Sequence, residues 1–202
     1  MKKIVVCISG FAVTGKSTLG RKIAKTFNLE YVSGGDGLKM LARDRGYNPS
    51  GRGWWDTDEG IKFLEERKIN PEFDKLVDMK LLEYAEKGRV VIDSWVLPWL
   101  YRGGFNVWLK ASDDVRVKRL IRRSHVDMEN AYQLLKRRDE ESAEIYRKLY
   151  GIEIGKDYTP FHLVLDTSDL NTVSVYRIVA QAIIEYYKLK NLEKSSRKYF
   201  NA

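Results

Sequence analysis

Residues 3–18 read KIVVCISGFAVTGKST. An unbroken apolar run, Ile4–Ile8, leads through Ser9 into Gly10-x4-Gly15-Lys16-Ser17. Such a run suits a strand covered on both faces, and the residues from Lys16 to Phe27 carry a helical pattern. Strand, glycine-bounded loop and helix is the setting in which this spacing cradles phosphate. Gly10 and Gly15 allow backbone angles and close approach that a Cβ obstructs. The loop amides, with Thr14 and Thr18 beside them, then face the β-phosphate of a bound nucleotide, aided by the helix dipole. Lys16 is spaced to reach the β- and γ-phosphates, and the Ser17 hydroxyl to ligate Mg²⁺. The bulky middle, Phe11-Ala12-Val13, does not conflict with this, because backbone amides make the cradle; these side chains are free to shape an acceptor pocket or to pack in the core.

Bulk properties narrow the class. With 202 residues, 44% hydrophobic and 32% charged, the chain suits one domain with an ordinary core. A net charge of +8 fits a polyanionic small substrate, nucleic acid, a membrane surface or simply a basic solvated face. One cysteine, Cys7, excludes an internal disulfide and a Cys-cluster metal site, and two histidines leave no multi-histidine site. This composition fits a reducing cytoplasm. Met1-Lys2-Lys3 before the apolar run imitates a signal peptide, but the run ends in Thr-Gly-Lys-Ser without a small-residue cleavage site. No stretch approaches the ~20 apolar residues of a membrane helix.

Along the chain, short β-branched runs alternate with helical patterns, the signature of a parallel sheet covered on both faces. Strands are expected at 3–9, 29–32, 89–93, 105–110 and 163–166. Helices are expected at about 16–27, 37–45, 71–86, 113–123, 128–150 and 172–189. Two segments interrupt the alternation: a polar stretch over about 46–70 carrying Trp54-Trp55, and a charged, arginine-rich stretch over about 124–150. Asp93 closes the strand RVVID, where an acid can orient Mg²⁺-bound water beside Ser17, or alternatively cap the following turn. No Asn-Lys-x-Asp guanine-reading motif occurs, which argues against a GTPase switch.

The chain resembles the P-loop nucleoside monophosphate kinases, and most closely the archaeal-type cytidylate kinases. The resemblance is carried by the phosphate loop, YVSGGDGLKMLARDRG (31–46), FNVWLKASDDVRVKRLIRR (105–123), RRDEESAEIYRKLYGIEI (137–154) and FHLVLDTSDLNTV (161–173). It implies an α/β three-layer sandwich with five parallel strands, as one kinase domain over 1–202. The core would comprise 1–33, 89–123 and 151–190, with an acceptor-binding insertion at about 34–88, a lid at about 124–150 and a basic tail at 191–202. ATP and Mg²⁺ are the implied donor and cofactor. The implied partner is a small phosphate acceptor such as CMP or dCMP, with no nucleic acid or membrane, in a monomer or homodimer.

The resemblance also assigns Arg119 to the donor adenine, Arg123 to the phosphates and the 167–168 turn to the donor base. Arg137, Arg138 and Arg147 lie on the lid pattern and can close over the transferring group; interleaved acids leave open a solvated, ion-paired helix instead. The expected catalytic set is thus Lys16, Arg123, Arg138 and Arg147. On the acceptor side, Asp36 and Lys39 stand where these kinases carry an acid and an arginine, and Asp93-Ser94-Trp95 replaces acid-Gly-Arg. Ile145 occupies a position expected to be basic. Arg52 and Arg102 flank the pocket and can compensate, which places Asp36, Lys39, Trp95 and Arg102 in the expected acceptor site. Trp54, Trp55, Trp95 and Trp99 offer flat surfaces for stacking on substrate, or for packing the insertion. Two other readings stay open: a kinase of another acceptor, for which Asp36 would serve as base toward an alcohol, and a nucleotide-dependent regulatory module with a lost acceptor site. A nucleic-acid binder has only the charge and the basic tail behind it.

Overall fold

The computed structural model describes residues 3–51 and 53–188; Arg52 and the tail at 191–202 lie outside the described residues. Five parallel strands form one sheet: β1 (Val5–Ser9), β2 (Glu30–Ser33), β3 (Val90–Asp93), β4 (Phe105–Lys110) and β5 (Leu163–Asp166), in the spatial order β2-β3-β1-β4-β5. Central β1 is buried throughout, pairing Val6 with Val91 on one side and with Phe105 on the other. Its side chains alternate between two cores. Val6 and Ile8 pack under α1 (Lys16–Phe27) and α8 (Thr172–Tyr187). Val5 and Cys7 pack under α2 (Gly34–Asp44), α3 (Asp58–Ile69), α4 (Glu72–Lys87) and α5 (Leu97–Leu100). The three-layer α/β sandwich expected from the sequence is therefore the fold.

The carboxyl ends of β1 and β3 bring the Gly10–Gly15 loop and Asp93 together, the position where open α/β sheets bind ligands. Above them stand α6 (Asp113–Ser124) and the long α7 (Met128–Tyr150). These two helices close a small core of their own, with Ala12, Val117, Leu120, Ala131 and Leu135 buried between them and the loop.

The stretch expected to be a polar interruption holds more order than its composition suggests. A short helical turn covers Trp54–Asp56, and α3 follows at once, capped by the Thr57 hydroxyl accepting from the Gly60 amide at 3.2 Å. Phe63 and Leu64 are the apolar anchors of this helix, and Trp54 is buried at 3% exposure. Helix α2 starts at Gly34 rather than Gly37, because the Ser33 hydroxyl caps it from the Asp36 amide at 3.0 Å. Among the described residues no helix is long and apolar enough to cross a membrane.

Candidate active site

Gly10 adopts φ 144°, and a Cβ there would stand 2.3 Å from the Leu109 carbonyl oxygen; the loop passes β4 only because that residue is glycine. Gly15 turns the chain into α1 at φ 102°. Between them Val13 sits at φ 61°, a left-handed conformation that a β-branched residue adopts only under strain of about 1–3 kcal/mol. A bracket from the helices above holds this loop. Asp139 of α7 accepts from the Ala12 amide at 3.0 Å, Arg116 of α6 donates to the Ala12 carbonyl at 2.8 Å, and Arg116 and Asp139 pair with each other. Phe11 points away from the cleft, edge-on to Trp95 and Trp108. The middle of the loop is thus a packing anchor, and its side chains do not line the acceptor pocket apart from Ala12 and Val13 at its edge.

Lys16 is buried, and its Nζ donates to the Gly10 and Phe11 carbonyls at 2.8 Å each. The Ser17 hydroxyl donates to Asp93 Oδ2 at 2.7 Å, and the Tyr31 hydroxyl reaches the same oxygen at 3.1 Å. A hydroxyl and a carboxylate converging at the mouth of a phosphate cradle are the hard oxygen donors that Mg²⁺ favours. Arg119 ties the cradle to the turn after β5, donating to the Thr167 carbonyl at 2.8 Å and to the Thr14 carbonyl at 3.4 Å.

These groups open on one cleft of about 870 Å³. It is lined by Thr14, Gly15, Lys16, Ser17, Thr18 and Asp93 at one end, and by Asp36, Lys39, Trp95, Arg119, Arg123 and Arg138 around it. Gly10 lies directly beneath. Lys39 Nζ donates to the Gly51 carbonyl and stands about 6 Å from the rings of Trp54 and Trp55. Burial lowers its pKa, and Arg123 and Arg138 push in the same direction. Asp36 is paired with Arg21 at 3.3 Å on the exposed rim.

Three expectations need correction. Arg147 is exposed and does not line the cleft: nine residues from Arg138 at 100° per residue is half a turn, which sets it on the opposite face of α7. Arg137, one position from Arg138, is likewise turned outward and pairs with Glu65 and Glu141. Arg102 is exposed in the loop entering β4, at the amino end of the sheet, whereas the cleft lies at the carboxyl ends. The tryptophans divide. Trp55 and Trp95 line the cleft, while Trp54 is core and Trp99 bonds to Asp157 and packs on Trp108 and Phe161. Ile145 is buried at 1%, a packing residue of α7.

The acceptor end of the cleft also carries a buried polar cluster that sequence reading did not single out. Arg67 of α3 makes a two-pronged pair with Asp74 of α4, at 2.6 and 2.5 Å, and its third nitrogen lies 3.3 Å from Ser142 Oγ on α7. The Tyr146 hydroxyl donates to Asp74, and the Tyr150 hydroxyl to Asp78, both at 3.1 Å. Burial and then the neighbouring Asp74 push the Asp78 carboxyl up to about 8, with Tyr150 and Arg67 opposing. The folded state therefore holds a proton on Asp78 that the unfolded chain releases near pH 3.8. Its stabilising contribution is complete below pH 3.8 and is lost as pH rises to about 8. We expect thermal melts of the wild type to show stability falling between about pH 4 and 8, and Asp78→Asn to flatten that slope; equal slopes would place Asp78 in contact with solvent.

A glycine loop closing on a buried lysine, a strand-end carboxylate bonded to the serine next to that lysine, and arginines from two overhead helices define a P-loop phosphotransferase. The comparisons narrow the class. The profile of the cytidylate kinase-like family matches residues 5–169. Cytidylate kinase of Pyrococcus horikoshii is 31% identical over 182 residues, covering 90% of this chain and 88% of that protein. Cytidylate kinase of Pyrobaculum arsenaticum is 36% identical over 180 residues, covering 87% and 90%. The chain belongs to the cytidylate kinase-like family, and it is a phosphotransferase of the nucleoside monophosphate kinase type. Among solved structures, shikimate kinase from Bacteroides thetaiotaomicron superimposes with a TM-score of 0.54 at 17% identity, covering 93% of this chain and 99% of that one. A gluconokinase from Sinorhizobium meliloti does so with a TM-score of 0.54 at 14% identity, covering 95% and 97%. At these identities the likeness concerns the fold alone.

Proposed function

We propose that this enzyme transfers the γ-phosphoryl group of ATP to the phosphate of CMP or dCMP, as a monomer or homodimer in the cytoplasm. The observation that carries this reading is a single cleft lined by Lys16, Ser17 and Asp93, with Trp95 beside Lys16, and by Lys39, Arg123 and Arg138. ATP lies along the loop, with Arg119 beside the donor base. Ser17 and Asp93 would hold Mg²⁺, whose charge would offset that of the phosphate oxygens. Lys16 exchanges its two loop carbonyls for phosphate oxygens. Arg123 and Arg138 face the charge that spreads over the migrating group, and their planar forks suit it. The nucleophile is already a phosphate, so no covalent enzyme intermediate and no strong base are needed. Asp36, Lys39 and Trp95 bound the acceptor.

The test is a panel of CMP, dCMP, UMP, AMP and GMP with ATP and Mg²⁺, reading ADP release. Turnover with CMP or dCMP at least about tenfold above the purine monophosphates is expected, and chelation of Mg²⁺ should remove it. Background ADP release with every monophosphate would sink the proposal. A different small phosphate acceptor is the second reading. It is favoured by the Trp95 ring, 5.3 Å from Lys16 Nζ where the resemblance expects an arginine, and by the buried Ile145.

A further inference from the structure

Asp56 ends the short turn after Trp54-Trp55, immediately before the Thr57 cap of α3. Its side chain is 1% exposed. Three donors from outside the insertion converge on it: Arg123 Nη2 at 2.7 Å and Ser124 Oγ at 2.7 Å from α6, and Arg138 Nη1 at 2.9 Å from α7. One carboxylate from the acceptor side of the cleft therefore holds both arginines that face the phosphates, across 67 and 82 positions of chain.

The way the arginines are held matters. Each guanidinium has five N–H donors, and each gives Asp56 only one nitrogen. Arg123 Nε is buried with no hydrogen-bond partner among the described residues. Both side chains line the cleft. A half-buried guanidinium whose Nε is left over needs an acceptor that the described residues do not supply, and phosphate oxygens are matching acceptors. Two like charges on neighbouring helices would otherwise separate; the shared carboxylate makes their common placement favourable. It fixes one edge of each fork and leaves the other toward the ligand.

We propose that Asp56 is a positioning residue for phosphoryl transfer: anchored in the insertion, it sets Arg123 and Arg138 as a matched pair against the migrating phosphoryl group. It couples the two moving parts of the reaction, because the arginines of α6 and α7 reach their working place only when the turn carrying Asp56 is docked against them. This inference rests on the phosphoryl-transfer reading above.

Asp56→Asn keeps the shape and one acceptor oxygen while removing the charge. Steady-state kinetics should show kcat lowered by about 10- to 100-fold, with KM for ATP and for CMP within about threefold of wild type. A general loosening of the insertion would instead raise the acceptor KM. Combined with Arg138→Ala, the loss should fall short of the product of the two single losses by about fivefold or more, since the two residues act as one unit. Ser124→Ala, at a half-buried position, removes one of the three tethers and should lower kcat about two- to fivefold with the same KM pattern; it decides the matter if Asp56→Asn does not fold. Unchanged kcat, raised kcat (a clamp that phosphate must displace), or losses that simply multiply would overturn the inference. A wild-type enzyme that phosphorylates no monophosphate overturns the proposed function instead, and the two failures are distinguishable in one assay.

Discussion

Lys16→Ala is expected to lower kcat by about 10²- to 10³-fold while leaving the fold in place. The lysine is buried, and burial lowers its pKa, with Asp93 and Asp139 pulling the other way. In this setting its charge is held by neutral groups: Gly10 and Phe11 accept from Nζ at 2.8 Å, the Trp95 ring lies 5.3 Å away, and no carboxylate among the described residues is paired with it. A cation satisfied only by neutral acceptors keeps its full attraction for a polyphosphate. That attraction grows as negative charge migrates between donor and acceptor in a cleft closed to water, and loss of one such preorganised donor costs about 3–4 kcal/mol. The folding consequence is small by comparison. Truncation exposes two loop carbonyls to the cleft, where water reaches them, and a melting temperature within about 4 °C of wild type is expected. Lys16→Met, which keeps the volume, separates packing from charge. Turnover in either variant within tenfold of wild type would remove Lys16 from the transfer step.

The contrast between this lysine and Asp56 shows what was legible in the chain. Lys16, Ser17 and Asp93 were readable because the loop is contiguous and because a parallel strand must end where its neighbour ends; the β1–β3 register setting Ile8 against Asp93 turns a sequence pattern into a 2.7 Å contact. Strand positions followed from apolar runs for the same reason. Arg123 and Arg138 were readable as a group, but Arg147 was misassigned, since composition counts arginines without counting turns of helix. Asp56, Arg67 and Asp139 carried no local signal. Each is one charged residue in a polar stretch, and its meaning arises from partners more than sixty positions away, or, for Arg67 and Asp74, from a helix turn between α3 and α4 that the pattern over 46–70 concealed. That segment hid because α3 offers few buried apolar positions and is held largely through polar bonds. The bulky loop middle also became intelligible only in three dimensions, where Arg116 and Asp139 grip the two sides of Ala12.

The largest expected effect on stability belongs to that concealed helix. Arg67→Met removes the only cation bonded to Asp74 among the described residues and leaves Asp74 and Asp78 buried side by side. The pair is 5% and 1% exposed, so solvent cannot take the arginine's place. Breaking a buried pair from one side costs about 3–5 kcal/mol, far more than the intact pair contributes relative to an apolar substitute. For a chain of this size the melting temperature should fall by about 10 °C. The asymmetry provides the control: Arg67→Met with Asp74→Asn removes both charges, and more than half of the lost stability should return. Function should follow a different course from Lys16→Ala. Arg67, Asp74 and Tyr146 join α3, α4 and α7 at the acceptor end of the cleft, so the single variant should raise the acceptor KM more than it lowers kcat. A loss below about 1 kcal/mol in the single variant would mean that water reaches the pair. A double variant no more stable than the single would mean that Arg67 acts by packing rather than by charge.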